Sequence, residues 1–123
     1  MTLDTNIIIL YLNRETAIVR ALDEIRKQGV SFILPAAVEA EFLSFSSWTP
    51  DQRRTMEEFL EENFVFVSLD RPLARLAARI RVNTRIKFAD ASIAATALFT
   101  NTPLVTRNVR DFKKVPGLQV MTL

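Results

Sequence analysis

Residues 30–46, VSFILPAAVEAEFLSFS, decide the fold: the apolar run Val30 to Leu34 meets Pro35 and passes directly into a segment of helical character, Ala36 to about Ser46. The run has the length and the branched or aromatic content of a strand. Proline ends it and suits the first turn of the helix that follows, where its missing N–H costs no hydrogen bond. A strand that turns straight into a helix is half of a crossover unit, so the same switch should recur on both sides. Toward the amino terminus, Ile18, Ala21, Leu22 and Ile25 recur at helical spacing within a helix from about Arg14 to Gln28, which Gly29 stops. Before it, Thr2 to Leu3 ends a short strand, and Asp4, Thr5 and Asn6 lead from that strand into Ile7, Ile8, Ile9 and Leu10.

Toward the carboxyl terminus, Thr49-Pro50-Asp51-Gln52 has the form of a capping box and starts a helix reaching about Glu62. Phe64 to Leu69 reads as a third strand, and Asp70 as the N-cap of a helix to about Asn83. An Ala-rich helix from about Ala89 to Phe99 implies close packing. Leu104 to Thr106 reads as a fourth strand and Leu118 to Met121 as a fifth, after the Pro116-Gly117 turn. Strands alternating with helices predict an α/β fold, with a parallel sheet covered on both faces.

Composition narrows the chemistry. At 123 residues, 49% of them apolar, one domain spanning residues 1–123 is expected to fold throughout. The chain has no Cys and no His, which excludes disulfides, thiolate nucleophiles, the usual zinc sites and imidazole acid-base chemistry. Catalysis is left to carboxylates, hydroxyls and amines. No segment has the pattern of a secretory signal, and none reaches the roughly 18 apolar residues of a membrane span, so the expected address is the cytoplasm. The net charge of +2 hides an uneven distribution: residues 71–123 carry ten Lys/Arg against only Asp90 and Asp111. A positive field of that kind suits a polyanion, although a solvated surface has the same composition.

In open parallel sheets ligands bind beyond the carboxyl ends of the strands. Asp4 follows the first strand, Glu39 and Glu41 lie in the helix after the second, Asp111 follows the fourth, and Asp90 opens the Ala-rich helix. Each acid alone has an ordinary role as a cap, turn or surface residue. Carboxylates gathered without basic partners repel one another, and a divalent cation relieves the conflict. Oxygen-only ligands select Mg²⁺ or Mn²⁺ over zinc or copper. Glu39 and Glu41 point about 200° apart on a helix, so both cannot face one site.

Taken in order, Leu3-Asp4-Thr5-Asn6, Glu39-Ala-Glu41-Phe-Leu-Ser, Asp90-Ala-Ser-Ile-Ala-Ala and Leu104-Val-Thr106-Arg-Asn108-Val-Arg-Asp111-Phe112 resemble the PIN-domain ribonucleases, and more narrowly their VapC-type toxins. The resemblance runs through essentially the whole chain. It implies a three-layer sandwich with a five-stranded parallel sheet, Mg²⁺ or Mn²⁺ at the acids, and cleavage of RNA phosphodiesters. It assigns Asp4, Glu41, Asp90 and Asp111 as catalytic and metal-binding, choosing Glu41 over Glu39. Asn6, Thr106 and Asn108 match polar positions that orient ligands or waters. It further implies a cognate antitoxin that covers the site, often through an inserted Arg or Lys, and a homodimer. Arg85, Lys87, Arg107 and Arg110 neighbour the acids in sequence and are the expected RNA contacts.

Two like-charge patterns stand apart from the site. Arg71, Arg75 and Arg79 repeat at i,i+4, as do Glu57/Glu61 and Glu58/Glu62, and each such row disfavours an isolated helix by about 0.2–0.5 kcal/mol per pair. Solvated faces account for both rows; the alternative is that they face each other or an oppositely charged partner, which would remove the repulsion. Other readings of the chain fit less well. A non-catalytic metal- or partner-binding module uses the same acids but does not require the full set. A phospho-acceptor receiver domain needs adjacent early acids, whereas Asp4 stands alone. A DNase shares the metal chemistry, and only the family resemblance favours RNA.

Overall fold

A computed structural model describes all 123 residues. The chain runs β1 (Thr2–Leu3), α1 (Thr5–Leu12), α2 (Thr16–Lys27), β2 (Ile33–Pro35), α3 (Ala36–Leu43), α4 (Pro50–Asn63), β3 (Val65–Val67), α5 (Arg71–Thr84), α6 (Phe88–Phe99), β4 (Leu104–Val105), α7 (Val109–Phe112) and β5 (Val120–Met121). The five strands form one parallel sheet in the order β3-β2-β1-β4-β5. Crossovers of the usual right hand put α1–α4 on one face and α5–α7 on the other, the three-layer α/β arrangement expected.

The start signals act as the sequence implies. Asp4 caps α1 by accepting from Thr5 N, and Thr49 and Gln52 make a reciprocal capping box at α4. Asp70 accepts from Leu73 N at the start of α5. Gly29, with φ of 83°, takes the left-handed turn that follows α2. Residues Ala91 to Ala97 of α6 are all buried, so their small side chains let α5, α6 and the sheet approach closely. Leu3, Ile7, Ile8, Leu34, Ile93, Leu104 and Phe112 fill the rest of the core.

Several boundaries differ from the expected ones, each for a local reason. The second strand begins at Ile33 rather than Val30 because its ladder starts opposite Thr2, and the third is cut to Val65–Val67 because pairing with β2 ends at Pro35. The fourth and fifth strands pair over two residues each. Helix α3 stops at Leu43 rather than Ser46: the Arg53 guanidinium takes the carbonyls of Leu43 and Phe45, and Ser44 Oγ donates to the Ala40 carbonyl. The one-turn helix α7 was not expected at all. The two like-charge rows do not face each other within the chain, for neither forms an internal ion pair; crossovers place α4 and α5 on opposite faces of the sheet.

Candidate active site

Successive crossovers leave β1 in one direction along the sheet and β4 in the other, so the gap between these neighbouring strands is the switch point where a crevice opens at their carboxyl ends. Asp4 leaves β1 there and Thr106 leaves β4. Asp4 is 5% exposed and Thr106 fully buried. Asp4 N donates to the Val105 carbonyl, which continues the β1–β4 ladder to the edge of the site. The Asp4 carboxylate accepts from Thr106 Oγ1 at 2.7 Å on one oxygen and from Thr5 N at 2.8 Å on the other.

A second link starts at Asn108. Its backbone N donates to Thr106 Oγ1 at 2.9 Å, and its Nδ2 donates to Asp111 Oδ2 at 3.1 Å. Thr106 therefore accepts from one side and donates to the other, tying the α7 turn to Asp4. Phe112, fully buried, anchors that turn and fixes the direction of Asp111 beside it. On the opposite wall, Thr5 Oγ1 donates to Glu41 Oε1 at 2.7 Å. That bond separates the two candidate glutamates: Glu41 joins Asp4 through Thr5, while Glu39 borders a hollow beside Leu34, Leu60 and Phe66 on the β3 side of the sheet.

Asp90 completes the group from the first turn of α6. Burial, followed by the charges of Asp4, Glu41 and Asp111, raises its pKa to about 6, with Lys87 opposing. Four acids from four separate stretches of chain thus share one electrostatic neighbourhood. Burial also raises Asp4, against the hydrogen bonds from Thr106 and Thr5 that favour its ionised form. Asp111 goes the other way: the Asn108 amide holds it below the usual carboxylate value, and Lys114, 3.6 Å away, and Arg110 assist.

The donor chemistry fits a hard dication, since every candidate ligand is an oxygen and the charges of Asp4, Glu41 and Asp111 add to burial in raising Asp90. In the arrangement of side chains shown, no three acids close into a ready cage of ligands.

The remaining candidates are placed less uniformly. Asn6 is exposed on the first turn of α1 with no side-chain hydrogen bond within the chain. Lys87 and Arg110 act on Asp90 and Asp111 through their charge. Arg107 is held by Glu15 at 2.9 Å, so it is engaged rather than free. Arg85 is exposed, forms no ion pair, and takes the left-handed conformation at the end of α5 with φ of 61°.

Three features escaped the sequence. Thr5 and Lys114 contact the acids but carry ordinary cap and surface chemistry in the sequence. Beside Glu41 runs an apolar trough of about 690 Å³ lined chiefly by Ile9, Leu12, Phe42, Phe45, Trp48 and Met56. Its aromatic floor packs Trp48 against Phe42 and Phe45 at 5.4 and 5.3 Å between ring centres. Sequence alone does not show that Phe45 and Ile9 are left exposed there.

Known proteins agree with this architecture. The structure of VapBC2 from Rickettsia felis bound to a DNA fragment from its promoter superposes with a TM-score of 0.82 at 21% identity, covering 99% of this chain and 97% of the other. That likeness concerns the fold. FitAcB from Neisseria gonorrhoeae gives a TM-score of 0.76 at 26% identity, over 98% of this chain and 95% of that one. In sequence, the protein named Ribonuclease VapC of Rickettsia bellii (strain RML369-C) is 36% identical over 64 residues, 52% of this chain. The match spans 43% of that relative's length. The family model described as PIN domain matches residues 1–118, nearly the whole chain and every acid of the site, and the chain therefore belongs to the PIN domain family.

Proposed function

We propose that the chain is a Mg²⁺- or Mn²⁺-dependent endoribonuclease acting in the cytoplasm as the toxin of a toxin–antitoxin pair. The observation that carries the reading is the meeting of Asp4, Glu41, Asp90 and Asp111 at the switch point of the sheet, with Asp90 feeling the other three. Those four acids would hold the ion. When bound, it supplies Lewis acidity toward a phosphodiester and makes water more acidic. The name of the Rickettsia bellii relative and the complexes among the structural neighbours support the same reading.

The chain's own residues have distinct tasks in this proposal. Thr106 and Thr5 fix the Asp4 carboxylate, and Thr5 fixes Glu41, so two acids are oriented before substrate arrives. Asn108 holds Asp111, and Asn6, on the exposed first turn of α1, is free to orient water or phosphate. Asp90, whose pKa burial and the charges of the other three acids push up to about 6, would be held ionised by a bound dication. Arg85, Lys87, Arg107 and Arg110 form a cationic border that offsets the repulsion between the acids and an RNA backbone. Arg107 would exchange Glu15 for phosphate. An antitoxin would lay apolar side chains in the trough beside Glu41 and extend a basic one toward the acids. A second copy of the chain completes the assembly.

The test is cleavage of total cellular RNA by the purified chain with Mg²⁺ or Mn²⁺, beside an Asp90→Asn variant. Cleavage by the parent alone, abolished by chelator, is the expected result. Equal cleavage by both proteins, or none by either, would overturn the proposal.

A further inference from the structure

The turn between α5 and α6 holds its backbone still while turning side chains outward. Ile86 is buried and anchors it; its backbone N donates to Thr84 Oγ1 at 3.4 Å, and its carbonyl accepts from Arg81 Nε at 3.2 Å. Thr84 Oγ1 in turn donates to the Ile80 carbonyl, and Ser92 Oγ donates to the Phe88 carbonyl at 2.9 Å in the first turn of α6. Around this pinned backbone Arg85, Lys87 and Phe88 all face solvent. Phe88 is 56% exposed, and its ring pairs with no other aromatic ring or cation of the chain. Single exposed apolar side chains are ordinary, so its place decides the matter. Ile9 and Phe45 border the trough, Val65 and Phe66 lie on β3, and Phe99 closes the far end of α6, about 16 Å from Phe88 along the axis. Of the exposed large apolar residues only Phe88 lies within two residues of an acid of the site, and Lys87, which precedes it, reaches Asp90 with its charge. Phe88 and Asp90 leave the same turn of α6 on opposite sides, about 10 Å apart, and both lean toward the amino end of the helix, where the crevice opens.

We propose that Phe88 is a stacking platform for an unpaired base of the RNA, a few nucleotides from the phosphate at the acids, with Lys87 and Arg85 beside the intervening backbone. The inference rests on the proposed nuclease reading and adds to it a contact that charge does not provide. Cations at the margin offset the repulsion between acids and phosphates, but a phosphate contact repeats at every nucleotide and leaves the strand free to slide. A ring fixed to the same helical turn as Asp90 sets the register, because a base stacked on it cannot shift without shifting the phosphate at the acids. Along a strand that advances about 3.4 Å per nucleotide, the distance of about 10 Å corresponds to roughly three steps. Every base has a π-face, so the platform accepts all four and favours those that stack more strongly, the purines. A base inside a duplex has both faces covered by its neighbours, so the strand must be unpaired where it meets Phe88. The hydrogen bonds that pin the turn leave little of it to be ordered when RNA binds.

The test reads binding apart from cleavage. In a full-length Asp90→Asn background with Mg²⁺, fluorescence anisotropy follows the binding of labelled single-stranded oligoadenylate and oligouridylate. Adding Phe88→Ala should weaken oligoadenylate binding about tenfold and oligouridylate binding less, with the salt dependence unchanged because no charge is lost. Lys87→Ala should instead reduce the salt slope by about 1. Phe88→Trp should bind as the background does, and oligoadenylate should quench its indole emission beyond any change in Trp48, the one native tryptophan. Phe99→Ala, the same residue type exposed at the other end of α6, should leave binding as it is. Undiminished binding by Phe88→Ala, an equal loss in Phe99→Ala, an unquenched indole in Phe88→Trp, or no RNA binding at all overturns the inference. So does a Phe88→Ala chain whose sedimentation differs from that of its background, which assigns the ring to a protein contact. Cleavage of total RNA by the chain with Asp90 intact separates the two claims: cleavage by a chain whose binding ignores Phe88 removes the platform and spares the proposed function, and stacking by a chain that does not cleave does the reverse.

Discussion

Asp90 is where the electrostatic conflict of the site concentrates. Below the ordinary carboxylate value of 3.8 both folded and unfolded chains hold its proton; between there and about 6 only the folded chain does. Its ionisation thus costs stability progressively as pH rises through that window, and the full cost remains above it. In chelator-treated buffer, Asp90→Asn should stabilise the protein by about 1 kcal/mol at pH 7.5, a figure reduced for solvent screening of a half-exposed group, and by almost nothing near pH 4. Urea unfolding at the two pH values measures the difference; an equal effect at both would remove the electrostatic account. Thr106 poses the opposite case, a buried hydroxyl whose two hydrogen bonds hold Asp4 and the Asn108 turn together. Thr106→Val keeps the shape and loses both bonds, and should cost about 2–3 kcal/mol, while Thr106→Ser should recover most of it. Equal destabilisation by Val and Ser would mean that the methyl group, not the hydroxyl, matters here.

Elements were legible in the sequence where a chemical signal marked their start: the Thr49–Gln52 box, Asp70 and Pro35 all begin helices where the residues indicate. Their ends were less legible, because a long-range partner sets them. Nothing near Leu43 announces that Arg53 will take its carbonyl, and the limits of β2 and β3 depend on a register that local sequence does not contain. α7 is a single turn, too short to show a period, yet it carries Asp111. Asp4, the Glu39/Glu41 pair and Asp111 could be placed after strands and Asp90 at the head of the Ala-rich helix, but choosing Glu41 over Glu39 needed the family pattern, and Thr5 as the bridge between Asp4 and Glu41 needed coordinates. Arg85 was singled out for its charge, whereas its backbone is the unexpected part: it holds a left-handed C-cap where glycine is favoured. Arg85→Gly should therefore gain up to about 1 kcal/mol of stability, net of the extra entropy of an unfolded glycine. If the side chain meets RNA, the same change should weaken binding and reduce the salt slope by about 1. Lower stability would refute the strain, and an unchanged slope would remove Arg85 from the RNA surface.

At the level of the whole molecule, the acids at the switch point sit against a cationic carboxyl-terminal half: the sheet gathers negative charge where strands β1 and β4 end, and residues 71–123 carry ten Lys/Arg against Asp90 and Asp111, the balance that the proposed function uses to admit a polyanion. The fold holds that repulsion without relief from any internal cation except Lys87, Arg110 and Lys114 at its margin. A ligand that binds the folded chain and neutralises the site must then stabilise the entire domain, by about 2.7 kcal/mol at a hundred times its Kd. For a chain of this size that corresponds to a rise in Tm of roughly 10 °C. Thermal unfolding titrated with Mn²⁺ or Mg²⁺ should show Tm climbing with the logarithm of metal concentration and returning on chelation. Glu41→Gln and Asp90→Asn should flatten the climb, and Glu39→Gln, whose side chain lies at the β3 hollow, should leave it intact. A Tm indifferent to both ions would mean that the acids do not bind metal, and a loss of the response in Glu39→Gln equal to that in Glu41→Gln would mean that the wrong glutamate has been assigned.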